Sequence, residues 1–219
     1  MTARINPYLM AHKVARHILF RASDLMARAE LESDEHRSGI VEACSNAIEY
    51  LRLHAHLEDT FFHPELKGKA PDLVRELDAE HQALEAVLDD LEKATQAFGD
   101  AGPERRQESL DALYGAWNAF IARYVAHLCR EETEGLSAWR EHFTDEGLLA
   151  LAGKAQASLR PDQLASSLPL ILHACSNADI APIYARARQT APAPALQAME
   201  ALAERILGKE RWSVIQSSG

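Results

Sequence analysis

Four stretches of this chain repeat apolar residues at alternating steps of three and four. Such steps keep to one face of a helix with 3.6 residues per turn. The first face is Ile5, Tyr8, His12, Ala15, Leu19, Ala22, Met26 and Ala29. Asn6 and Pro7 before it read as an N-cap and a first helical residue. The second is Ile40, Cys44, Ala47, Leu51, His54, Glu58 and Phe61, with His63-Pro64 read as its end. Pro71 is placed to open the third, which runs Val74, Leu77, His81, Leu84, Leu88, Leu91, Thr95, Phe98 and closes at Gly99. The fourth is Leu110, Leu113, Trp117, Phe120, Tyr124, His127 and Glu131. Long amphipathic helices joined by short loops predict an all-α, up-down-up-down antiparallel four-helix bundle.

After residue 143 the segments become shorter and carry Pro161, Pro169, Pro182, Pro192 and Pro194. Thr144 reads as a cap for the first of them. The expected organisation is a bundle over residues 1–143 and, over 144–219, short helices packed on the bundle or on a partner. A homodimer through the C-terminal helices is one arrangement this allows.

Ala, Leu, Glu and Arg abound while Val and Ile are sparse, as a helical protein requires. The formal net charge is −10, with no Lys/Arg cluster, which argues against nucleic acid and anionic membrane as partners. No apolar run approaches the ~20 residues of a membrane span. The start of the chain lacks an apolar signal core. Cys44, Cys129 and Cys175 are widely spaced and form no CxxC, so they read as free thiols in a reducing cytoplasm.

The bundle faces contain polar intruders: His12, His54 and Glu58, His81, then His127 and Glu131. Imidazole and carboxylate on an apolar seam are costly unless something pairs them. A metal ion does so, because it takes neutral ring nitrogen and ionised carboxylate oxygen. The chain also repeats itself. His54 to Thr60 and His127 to Thr133 both read H-x-x-x-E-[DE]-T, and helices one and three each add one histidine. The i, i+4 spacing puts His and Glu on one face, ~6 Å apart along the axis. Four imidazoles and two carboxylates are too many for one tetrahedral ion and suit two six-coordinate ions. Each Glu can bridge the pair with both oxygens. Positions then remain for an oxygen bridge and a small exogenous ligand.

At these residues the chain resembles the hemerythrin-like, or HHE cation-binding, family. The match is the series His12, His54-x-x-x-Glu58, His81, His127-x-x-x-Glu131, within roughly residues 5 to 140. The resemblance implies two non-haem iron ions, joined by an oxo or hydroxo bridge and by carboxylates. It implies a small ligand such as O₂, NO or peroxide, in sensing, detoxification or iron handling. It also implies similarity to a bacterial subgroup with a helical C-terminal extension.

The pattern departs from the oxygen carriers in two places. Carriers have a second histidine one turn after that of helix three, where this chain has Glu85. They end H-x-x-x-x-D, whereas His127 here is followed by Glu131 and Glu132. Helical phase favours Glu131, because Glu132 is turned about 140° from His127. The ligand set is therefore nearer to nitric-oxide-responsive, iron-repair and iron-sensing relatives. A Glu85 in place of a ligating histidine would leave one ion more open and quicker to oxidise.

Other readings stand beside this one. The metal could be structural in an interaction module, or the chain could store or carry O₂. A ferritin-like carboxylate site would use E-x-x-H, the reverse of the order seen here. Of the remaining histidines, His17, His36, His56, His142 and His173 read as flank, loop or structural residues. His63 lies nearer the site. Glu85 is open between weak ligand, acceptor and surface residue. Tyr8 and Tyr124, one turn from candidate ligands, read as core residues whose hydroxyls could reach a bound ligand.

Overall fold

A computed structural model describes residues 4–218, and all regular structure among them is helical. It falls into two compact units, Met1–Ser158 and Leu159–Gly219. The sequence reading drew the boundary at residue 143.

In the first unit the long helices are α1 (Leu9–Ala27), α2 (Asp34–Leu57), α4 (Pro71–Gly99) and α5 (Arg106–Arg130). Helix α1 packs on α2 and α5, and α4 packs on α2 and α5. Each buries the stripe that the sequence marks along its own length, while Ile5 and Ala29 of the first stripe lie outside α1 and are half-buried. All eight members of the third stripe, Val74 to Phe98, are buried on α4, and so are all seven of the fourth. Pro71 and Gly99 bound α4 as expected. Helix α1 begins at Leu9, two residues later than the Asn6-Pro7 signal implies, because Asn6 Oδ1 already accepts the backbone N–H of Tyr8, 3.0 Å away.

Helix α2 does not stop at His63-Pro64. It passes through a π-turn, Glu58–Phe62, into the short helix α3 (His63–Lys67). Pro64 lies in the first turn of α3, where a missing N–H costs little. Helix α5 does the same through Glu131–Gly135 into α6 (Leu136–His142). Both π-turns begin at the glutamate of the repeated motif. A π-turn adds one residue to the helical circuit, so the buried seam slips by one. After Glu58 it continues at His63 and Leu66, and after Glu131 at Leu136 and Trp139. Phe61, expected on the seam, is half-buried.

Helix α7 (Asp145–Ser158) belongs to this unit. Thr144 Oγ1 accepts the N–H of Gly147, which bears out the cap. Leu148 and Leu151 join a core cluster with Tyr8, Leu66, Val74, Leu136 and Trp139. Arg4 ties the same end, donating to the carbonyls of Arg140 and Phe143 and to Asp145.

The second unit holds α8 (Pro161–Ala174), α9 (Asn177–Thr190), α10 (Ala193–Leu207) and α11 (Lys209–Ser218). Helix α8 packs on α10, and α9 on α11, where Tyr184 meets Trp212 edge-on at 4.7 Å. Pro161 opens a helix, but Pro169 and Pro182 lie inside helices that the sequence reading interrupts there. No helix among the described residues is long and apolar enough to cross a membrane.

Candidate metal centre

The six predicted residues converge. His12 comes from α1, His54 from α2, Glu58 from the first π-turn, His81 from α4, His127 from α5 and Glu131 from the second π-turn. All six are buried, His12 and Glu131 completely. Glu131 Oε2 lies 3.2 Å from His12 Nε2, while its Oε1 lies 3.4 Å from His127 Nε2 and 3.6 Å from His81 Nε2. Glu58 Oε2 lies 3.4 Å from His54 Nε2 and 3.6 Å from His81 Nε2, and its Oε1 is 3.8 Å from His12 Nε2. Each carboxylate thus faces both pairs of histidines.

The ring nitrogens on the far side are held by a second set of carboxylates. His12 Nδ1 donates to Glu132 Oε1 at 2.8 Å, His81 Nδ1 to Asp59 Oδ1 at 2.7 Å and His127 Nδ1 to Glu80 Oε2 at 2.8 Å. These partners assign the proton to Nδ1 and turn the Nε2 lone pair inward. The sequence reading missed all three. The signal was present in the repeat, since Asp59 and Glu132 are its [DE] position. Each crosses to the histidine of a neighbouring helix. Glu132, excluded as a ligand by phase, lies behind His12.

Two observations test whether a metal ion suits this centre. First, His12 Nε2, His54 Nε2, Glu58 Oε2 and both oxygens of Glu131 are buried without a hydrogen-bond partner. Groups of this kind are paired in stable proteins, or they bind something. Secondly, His81 Nε2 and His127 Nε2 are 3.0 Å apart. One proton can bridge two ring nitrogens at that distance, and one cation can take its place. Two nitrogens bound about 2.1 Å from one ion at a right angle lie about 3 Å apart. The donor set of neutral imidazole and carboxylate fits iron or a similar divalent ion.

The electrostatics agree. Burial would lower the histidines, yet hydrogen bonds to Glu131, Glu132 and Glu58 bring His12 up to about 11. Asp59 and Glu131 outweigh burial to bring His81 up to about 10. His54, with no such carboxylate, is lowered by its burial. Burial pushes the hydroxyls of Tyr8 and Tyr124 up, and the charges of Glu131 and Glu58 add to this. Tyr8 stacks on His12 at 5.1 Å and accepts a hydrogen bond from Trp139 Nε1.

Some expectations change. Glu85 is exposed and accepts from Arg52, which also holds Asp89 and Glu92, so it takes no part in the centre. The open ion inferred from Glu85 therefore loses its basis. His63 is buried at the first π-turn, stacked on His81 at 5.1 Å, with Nδ1 on Asp78 at 2.7 Å and Asp59 at 3.3 Å. In the second repeat the same position is Leu136.

The hemerythrin HHE cation-binding domain model matches residues 5–138. The chain therefore belongs to that family, and cation binding, with iron the usual metal, follows from the membership. Neither a curated protein nor a solved structure matches the chain.

Proposed function

We propose that this protein is a non-haem di-iron protein that binds or reacts with one small ligand, O₂, NO or peroxide. His12 and His54 would hold one ion and His81 and His127 the other, with Glu58 and Glu131 facing both. The observation that carries this is the inward convergence of bare Nε2 and carboxylate oxygens, with two nitrogens already 3.0 Å apart. The neighbour order of α1, α2, α4 and α5 supports the antiparallel bundle that this ligand series needs.

Bound ferrous iron supplies an electron-rich Lewis acid to a small molecule. The chain does the rest. Asp59, Glu80 and Glu132 orient three imidazoles. Leu51, Leu77 and Leu84, each a turn from a ligand, keep bulk water out, and Phe120 extends the apolar layer. Metal analysis of protein purified without added metal tests the reading. About two iron ions per chain are expected, with absorption bands that change on exposure to O₂, NO or peroxide. A single, spectroscopically silent ion would instead make the centre structural and the protein an interaction module.

A further inference from the structure

The repeat makes the centre nearly twofold, and its outer layer breaks that symmetry. Three histidines are each held by a carboxylate that is itself braced. Arg16 donates to Glu132 at 2.6 and 2.9 Å, and Glu132 holds His12. Arg130 donates to Glu80 at 2.8 Å, and Glu80 holds His127. His63 lies on Asp59 and Asp78, and Asp59 holds His81. Among the described residues, no carboxylate holds Nδ1 of His54.

The sequence explains the gap. Glu80, one residue before His81, reaches across to His127. The residue one before His12 is Ala11, which has no side chain to reach His54. Its carbonyl instead accepts from Tyr50, whose ring stacks on His54 at 6.4 Å.

A carboxylate behind a ligating histidine fixes the ring and raises its basicity, and losing one costs about 10–100-fold in metal affinity. Glu58 and Glu131 face both halves, so they do not distinguish them. The histidines do. His81 and His127 are both braced, with ring centroids 4.7 Å apart and Nε2 atoms at 3.0 Å. His12 and His54 meet edge-on at 5.2 Å between centroids, with one of the two braced.

We propose that the centre fills in order. The His81–His127 half takes the first divalent ion. The His12–His54 half holds the second more weakly, because His54 alone lacks a braced carboxylate. Asp59, Glu80 and Glu132 are positioning residues in this scheme. The inference rests on the two-ion reading above.

The test is an anaerobic titration of chelator-stripped full-length protein with Co²⁺, followed by visible absorption and by competition with a chelator. Two steps are expected, the first tighter by about tenfold or more. At one equivalent, proton NMR should show two hyperfine-shifted, exchangeable imidazole N–H signals, those of His81 and His127 behind their carboxylates. Filling of the other half first would show the N–H signals of His12 and His54 instead, one of them absent in His54→Ala, and would overturn the proposal. His54→Ala should keep the first step and lose the second. Glu80→Ala should weaken the first step about 10–100-fold, with Glu80→Gln, which keeps an acceptor, between it and wild type. Glu134→Ala, which also contacts Arg130 but holds no histidine, should leave both steps unchanged. Two equal steps, one cooperative step, or loss of the first step in His54→Ala would overturn the order. Uptake of fewer than two ions per chain would overturn the dinuclear reading itself.

Discussion

Protons and metal ions compete for the same lone pairs at His12 and His81. The surrounding carboxylates bring these imidazoles up to about 11 and about 10, so at neutral pH both carry a proton that an ion must displace. Loading at pH 7 should release about two protons per chain, read by calorimetry in buffers of different ionisation enthalpy. Uptake without release would contradict this. The sign for stability follows. A raised histidine stabilises the fold fully below its unfolded value, near 6.5, and the gain is lost as pH rises through the folded one. The melting temperature of chelator-treated protein should therefore fall progressively from about pH 6.5 to about 11. Glu132 behaves oppositely. Its bond to His12, then its ion pair with Arg16, hold it down to about 2, so its contribution is lost only as pH falls toward that value. Substitutions separate the three acids near the site. Glu131→Ala should lose at least one ion. Glu132→Ala should still bind two at saturation, with affinity reduced about 10–100-fold. Glu85→His should change neither metal content nor spectrum, since residue 85 faces Arg52 on the surface. Metal loss from Glu85→His would return that residue to the site.

The helices were legible because burial follows the stripe almost residue by residue, from Val74 to Phe98 and from Leu110 to Glu131. The π-turns were not. Nothing local in EDTFF or EETEG demands a wider turn. The demand comes from placing Glu58 or Glu131 inward while the next acid reaches back to a neighbouring helix, and such a link is tertiary. The same reason hid Glu80, whose partner His127 lies 47 residues away. Glu85 stays open in the sequence because spacing along one helix cannot show that Arg52 waits on another. Gly135, last in the second π-turn, tests this geometry. A Cβ there would meet the Tyr8 hydroxyl at 2.8 Å and its ring at 3.3 Å, in a site pinned by Trp139. Gly135→Ala should cost about 1–3 kcal/mol by overpacking. Adding Tyr8→Phe, which removes the nearest atom, should return part of that loss in a denaturant titration. An unchanged melting profile for Gly135→Ala would mean that the turn tolerates bulk and is not held by Tyr8.

For the whole molecule, the two compact units divide the chemistry unevenly. Every candidate ligand and every carboxylate behind one lies between His12 and Glu132. No described residue of the unit Leu159–Gly219 is among the histidine and acid groups able to hold an ion. Where the first unit ends is set by packing that composition does not reveal. Residues 144–158 read as the start of an extension, because the long helices stop there and the segments that follow are shorter and carry prolines. Yet Leu148 and Leu151 are buried against Tyr8, Leu66 and Trp139, next to the turn that carries Glu131. The two boundaries make opposite predictions for truncated chains. A fragment ending at residue 158 should fold, melt cooperatively and bind the same number of ions as the full chain. A fragment ending at residue 143 removes both leucines and the Asp145 partner of Arg4. Each leucine lost from a core costs about 2–5 kcal/mol, and typical domains have only about 5–15 kcal/mol in total. That fragment should be unfolded or marginal at 25 °C and release metal, as seen by circular dichroism and metal analysis side by side. Equal stability of the two fragments would show that α7 is an appendage, and the bundle would then end where the stripes alone suggest.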